Sequence, residues 1–430
     1  MEVLINVSQW VASNIFRQPA SLIALIAFLG LIVQQKSFSE IISGTIKTVL
    51  GFVIIRAGSG IIVRALKGFG PMWQEVFGMK HSQMTGIIGT QEFISQFGSS
   101  ITLIMTLGFL VNVALARFTR FKFIYLTGHM MFWVSFVYTG IMVEVFGTGI
   151  SQFKLVLSGA IILGLYWTLQ PAFLQKYVKK ATGKDNIALG HTVASGAWLG
   201  AVVGKLIGDP ENSTENLELP NKLKFLKDSN VVIVAVMVLA YVIGAILAGP
   251  EFMTKYAGDK NHIIYGVLQG LKFGAGIAVV LHGVKLLIGE IVPAFKGISN
   301  KLVPDSKPAL DVPILYPYAP IATIVSFIAS FVTMVILMLI MGLSGFYVFV
   351  PPMIAIFFHA AGAGVLGNAT GGVKGAIASG VIIGIIITLG QAIFVKYITP
   401  TTIPDFILWG GDTDMFVFGT ILKWVVGLFG

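Results

Sequence analysis

ATIVSFIASFVTMVILMLIMGL, residues 322–343, runs for twenty-two residues without a charged side chain. A hydrocarbon layer about 30 Å thick is crossed by an α-helix of roughly 20 predominantly apolar residues, so this stretch is long enough to span one. Working outward, comparable apolar stretches lie near 19–35, 41–63, 100–117, 123–147, 153–173, 229–249, 263–291 and 373–396, with a shorter one at 414–429. The expected fold is an all-α polytopic membrane protein of about 10–11 transmembrane helices.

Composition supports this class. Of 430 residues, 56% are hydrophobic and only 11% charged, whereas a soluble domain carries about 25% charged residues. No soluble surface can be covered by so few charges. No long polar stretch separates the apolar segments, so residues 1–430 read as a single membrane transporter unit. The opening residues, MEVLINVSQWVASNIFRQPAS, lack a basic start, a short apolar run and a small-residue cleavage site, so an interfacial amphipathic helix is expected there rather than a removable signal peptide. The net charge of +10 collects in RFTRFK at 117–122, QKYVKKATGK at 175–184 and NKLKFLK at 221–227. Such loops face the cytoplasm and its anionic membrane lipid, and nucleic acid is not an expected partner. Lys36, just after the first span, places the N-terminus outside. Cysteine is absent, which excludes disulfides, thiolate metal sites and a cysteine nucleophile.

Four stretches at membrane depth are interrupted by Gly, Pro or polar residues: 82–99, 186–208, 308–320 and 350–370. Irregular backbone is tolerated there only where protein or a watery cavity satisfies it, so these are expected re-entrant or broken helices. Lys47, Gly51 and Gly58 recur at the spacing of Lys272, Gly276 and Gly283. The echo suggests an internal structural repeat, the first unit about 19–208 and the second about 229–396, followed by a last helix at 414–429. For any single glycine, close helix packing is the simpler account.

An ionisable group at membrane depth costs about 2.5–3.5 kcal/mol on insertion scales and needs a reason. Four such groups lie beside glycine or proline: His129 in LTGHMMFW, His191 in LGHTVASGAW, Asp311 in LDVPILYPYAP and His359 in FFHAAGAGVLGN. Asp311 precedes Pro313, Pro317 and Pro320, a density that prevents a continuous helix. Its carboxylate suits the hydroxyls of a polyol or sugar; the alternative is a helix N-cap. The histidines suit hydrogen bonding, proton transfer or ligation. None has metal spacing to another His, Asp or Glu, so no metal is expected. Trp133, one turn from His129, offers an aromatic face to a sugar or an interfacial anchor. Phe357 and Phe358, beside His359, join the candidate set, with Gln91 and Glu92 as further pocket residues. Lys47, Arg56, Arg64 and Lys272 read as snorkelling or lipid-headgroup contacts and are left structural. There is no phosphate loop and no nucleophile elbow, so no nucleotide cofactor is expected and energy must come from an ion gradient or another protein.

IISGTIKTVLGFVIIRAGSGI at 41–61, YLTGHMMF at 125–132, LGH at 189–191, FKGISNKLVPDSKPALD at 295–311, YAP at 318–320 and GN-x-x-GG at 367–372 are the stretches that carry a family resemblance. In colinear order over essentially the whole chain, they resemble the ascorbate-type enzyme IIC permeases of the bacterial sugar phosphotransferase system. That resemblance implies a homodimer of eleven-span subunits in the bacterial cytoplasmic (inner) membrane, each with a scaffold domain and a mobile core domain. It also implies a separate enzyme IIB, carrying a phosphocysteine and working with enzyme IIA, that phosphorylates the substrate at the cytoplasmic side. A chain without cysteine agrees with that division of labour. The family's substrate-binding histidines and aspartate correspond to His129, His191 and Asp311. Where the family carries two glutamines, a tyrosine and a small polar residue, this sequence has Trp133 and Thr192, Ile87, and His359, which changes the donors and acceptors around a polar substrate.

The expected function is uptake of a small sugar acid or carbohydrate, L-ascorbate foremost, by alternating access coupled to phosphorylation. The alternatives are a proton-coupled carrier using Asp311 or a histidine as proton carrier, and an intramembrane enzyme using paired histidines.

Overall fold

The computed structural model describes residues 10, 19–78, 90–216, 229–297, 301–346, 353–402 and 411–428. In chain order the helices are α1 (Pro19–Val33), α2 (Phe38–Leu66), α3 (Phe69–Val76), α4 (Thr90–Phe118), α5 (Gly128–Phe146), α6 (Gln152–Thr182), α7 (Ala194–Ile207), α8 (Ser229–Ala257), α9 (His262–Gly297), α10 (Pro320–Leu343), α11 (Met353–Ile393) and α12 (Thr413–Val426). Three short strands interrupt them: β1 (Phe123–Tyr125), β2 (Ala188–Leu189) and β3 (Lys307–Leu310). Among the described residues, 8 helical runs are long and apolar enough to cross a membrane by length and composition, and α1 and α7 are shorter apolar helices.

The long helices pack through small residues. A Cβ placed on Gly51 would lie 2.6 Å from the Leu287 amide nitrogen, and one on Gly58 would lie 2.7 Å from that of Val280. Reciprocally, Cβ atoms on Gly283 and Gly276 would lie 2.9 Å and 3.0 Å from the carbonyl oxygens of Gly51 and Gly58. The two echoed glycine sets thus face each other where α2 and α9 run antiparallel, and close backbone approach explains them. Lys47 pairs with Glu290 of α9 at 3.7 Å across the same contact.

Two of the four expected broken stretches are irregular as read. Residues 186–193 form β2 and a turn ahead of α7, and 308–320 form β3 and a 3-10 helix over Val312–Tyr318. The stretch 82–99 differs: its first part lies outside the described residues, and from Thr90 onward it is regular helix continuous with the next span. Polar residues there do not break the helix, because Ser95 returns its hydroxyl to the Glu92 carbonyl at 2.8 Å and Gln96 donates to the Glu92 side chain at 3.3 Å. The fourth, 350–370, begins outside the described residues and from Met353 onward belongs with most of the apolar stretch at 373–396 to α11, which departs from helical geometry at Gly371 and Gly372. Gly372 has φ 58 and ψ −144, a conformation open to glycine and strained for other residues, so GN-x-x-GG is a break between two helical halves.

The strands form one parallel sheet in the order β1-β3-β2. Phe123 pairs with Lys307, Tyr125 with Ala309, and Leu189 with Leu310. Asn112, buried on α4, ties the sheet to the helices by donating to the Phe123 carbonyl at 3.0 Å and to Thr168 Oγ1 at 2.8 Å while accepting from the Tyr125 amide at 3.0 Å. At the start of β3, Lys307 donates to Asp185 at 2.7 Å and Gln175 adds a bond at 3.0 Å. Those two donors hold the Asp185 carboxyl down at about 2.

Candidate functional site

Because the strands are parallel, their C-terminal ends open on one edge of the sheet, where Thr127-Gly128-His129 follows β1, Gly190-His191 follows β2 and Asp311 follows β3. Gly190 is required by the crowding at this edge: a Cβ there would lie 2.7 Å from the Ala309 carbonyl oxygen. Three residues more than fifty positions apart in sequence are brought together by three strands of two to four residues each.

Asp311 lies between two imidazoles. His129 Nε2 is 3.5 Å from its Oδ2, and His191 Nε2 is 3.7 Å from its Oδ1. Asp311 also accepts the Val312 amide at 2.7 Å as N-cap of the 3-10 helix, so the residue that caps this helix is the one that faces the two imidazoles. The Val193 amide donates to Nδ1 of His191 at 3.2 Å. A neutral His191 therefore carries its proton on Nε2, directed at Asp311.

His359 reaches the same cluster from α11. Its ring is 5.4 Å from that of His191, and its Nε2 is 3.1 Å from Oδ1 of Asp412. Its Nδ1 donates to the Ala355 carbonyl at 2.8 Å, one helical turn back. Asp412 accepts in addition from the Thr192 hydroxyl. Two residues on, Asp414 accepts from Tyr166 at 2.6 Å and from the Ser195 amide. Asp412 and Asp414 thus clamp the turn that carries His191 onto the first turn of α12.

A cavity of about 480 Å³ opens over this cluster. Of the candidates named from the sequence, His129, Trp133, His191, Asp311, Phe358 and His359 line it. Thr192 and Phe357 do not. Thr192 is fully buried behind the wall, holding Asp412. Phe357 points into the core, with ring centroids 5.0 Å from Phe273 and 5.3 Å from Phe327, because adjacent residues of a helix face different directions. Ile87 lies outside the described residues, as does the side chain of Gln91. Glu92 is exposed and pairs with Gln96 on its own helix, away from the cavity.

The opposite wall belongs to α2, which presents Phe52, Arg56, Ser59 and Arg64. The two arginines, left structural in the sequence reading, are cavity residues, and Asp412 is a third that it missed. Phe52, Arg56, Gly60 and Arg64 recur every fourth residue along one face of α2, which is a sequence signal, but nothing in the sequence says what that face meets. Neither arginine makes an ion pair among the described residues. The wall as a whole therefore carries two guanidiniums and three imidazoles against two carboxylates.

Two sets of side chains have ligand atoms within 4.8 Å of one another: His129, His191 and Asp311, and His191, His359 and Asp412. A cation would have to take Nε2 of His191, which both sets share. The Val193 amide already fixes the proton on that nitrogen, so the arrangement suits hydrogen bonding to a polar molecule better than metal ligation.

A family model described as "PTS system sugar-specific permease component" matches residues 14–415. The "Ascorbate-specific PTS system EIIC component" of Mycoplasma pneumoniae is 27% identical over 428 aligned residues, covering 85% of this chain and 63% of that protein. The chain thus spans less than two thirds of that relative's length.

Proposed function

The chain belongs to the PTS system sugar-specific permease component family, and from that premise we propose that it carries L-ascorbate into a bacterial cell by alternating access, with phosphorylation by a separate enzyme IIB. The observation that carries the substrate is the cationic excess of the cavity. Ascorbate is an anion at neutral pH, and two guanidiniums without acidic partners face the space it would fill. Arg56 and Arg64 bind the charged ring oxygens, while Asp311 accepts hydrogen bonds from hydroxyls and the proton on Nε2 of His191 is available to an oxygen. Trp133 and Phe358 give the ring an apolar face. His359 is tied to Asp412 and sets the depth of the cavity more than it contacts substrate.

The transported sugar meets the phosphocysteine of enzyme IIB, itself charged by enzyme IIA, at the cytoplasmic face. Adding a phosphoryl group enlarges the molecule and adds negative charge, so the product no longer fits and uptake is drawn forward. Two structural units, about 19–208 and 229–396 with the helix at 414–429, assembled as a homodimer of scaffold and core domains, complete this reading.

The test is calorimetric titration of the purified protein with L-ascorbate, with pentitols, hexitols and other sugar acids as competitors and Asp311→Ala alongside. Saturable ascorbate binding that the neutral polyols fail to displace, and that Asp311→Ala loses, is the expected result. Binding of a neutral polyol in preference to ascorbate would overturn the substrate. Uptake of unmodified ascorbate that collapses with an uncoupler would replace phosphorylation by proton coupling.

A further inference from the structure

A second cavity, of about 630 Å³, lies where the C-terminal end of α2 meets α8 and the first turns of α9. Gly249, at φ 79, and Pro250 break α8 and turn its last two turns toward this place. Arg64, Lys67, Lys255 and Lys272 line the cavity and no acidic residue does. None of the four makes an ion pair among the described residues. Lys255 is held in place over the Phe252 ring at 3.5 Å.

The interior of this cavity is built as well as charged. Gln269 lines it, is only 7% exposed, and has no hydrogen-bond partner among the described residues. Its amide has no protein partner among the described residues and opens onto the cavity, where its donors are free to meet a ligand. Beside it, the Tyr265 hydroxyl reaches to within 2.9 Å of where a Cβ on Gly68 would stand, so glycine at that position makes room for the phenol.

We propose that this cavity is a binding site for a phosphate group. Four cations give the charge, and the Gln269 amide and the Tyr265 hydroxyl give directed donors to phosphate oxygens. Two sources share that chemistry. One is the headgroup of an anionic phospholipid, whose acyl chains would lie on the exposed Ile264, Leu268 and Leu271 of α9. The other is a soluble phosphate compound. The inference stands apart from the identity of the transported sugar.

The test uses the full chain in neutral detergent, at fixed ionic strength. Binding is measured for inorganic phosphate against chloride, and for phosphatidylglycerol against phosphatidylcholine in mixed micelles. Phosphatidylglycerol alone binding above its control identifies a lipid site; inorganic phosphate binding as well identifies a site open to soluble anions. The double variant Lys67→Gln, Lys255→Gln is expected to weaken either by roughly thirtyfold, since each basic residue near an anionic surface contributes about fivefold. Gln269→Met removes the directed donors at similar volume and keeps the test available if the double variant fails to fold. No binding above the chloride and phosphatidylcholine controls, or equal binding by wild type and both variants, would overturn the proposal.

Discussion

Asp311 does two jobs that substitution can separate. Its carboxylate faces His129 and His191 and also caps the 3-10 helix through the Val312 amide. Asparagine is as good an N-cap as aspartate but carries no charge, whereas alanine loses both roles and costs about 1 kcal/mol of capping. Asp311→Asn is therefore expected to melt close to wild type yet lose ascorbate binding, and Asp311→Ala to lose both. Equal melting and equal binding for Asp311→Asn and wild type would remove the charge from the site. His129, His191 and Asp311 were legible in the sequence because an ionisable group beside Gly or Pro in an apolar stretch has few bland explanations. Arg56, Arg64 and Asp412 were not. An arginine on an apolar helix reads the same whether it snorkels to the surface or faces a cavity, and only packing tells the two apart.

Among the elements, the apolar spans were readable from length and hydropathy, and the small sheet was not. Its strands are two to four residues long, and β1 merges with the apolar run that becomes α5, so no period-2 pattern has room to appear. The stretch 82–99 misled for the opposite reason, since Ser95 and Gln96 looked like interruptions but satisfy themselves on Glu92 within α4. The α2–α9 pair makes a sharper claim. Gly58→Val would drive two methyl groups into the α9 backbone near Val280, an overpacking expected to cost about 1–3 kcal/mol. Since α2 also forms the cavity wall, the thermal melt and ascorbate affinity should fall together; a melt unchanged from wild type would show that the close approach is not needed. At the start of β3, Asp185 gives a pH prediction. Its carboxyl is held at about 2 by Lys307 and Gln175. A depressed carboxylate contributes stability above its unfolded value and loses it only as pH falls toward the folded one. The melting difference between wild type and Asp185→Asn is thus expected to stay constant from about pH 5 to 8. A difference that closes within that range would mean that another group governs this latch.

For the whole molecule, the arrangement of positive charge matters more than its total of +10. Part of it lies in loops, where membrane surface charge explains it, but Arg56, Arg64, Lys67, Lys255 and Lys272 line two adjoining cavities. Arg64 belongs to both, so it forms the wall between the proposed sugar cavity and the proposed phosphate cavity. Three substitutions then have distinguishable outcomes. Arg56→Gln should weaken ascorbate and leave phosphate binding unchanged. Lys67→Gln should weaken phosphate or phosphatidylglycerol and leave ascorbate unchanged. Arg64→Gln should weaken both, because the loss of one charge-assisted contact is felt on either side of the wall at about 1.5–3 kcal/mol. Calorimetry of each ligand on each variant gives six measurements. If all three variants weakened both ligands alike, the charge would be acting as a diffuse field over one merged space, and the two cavities would have to be treated as a single site.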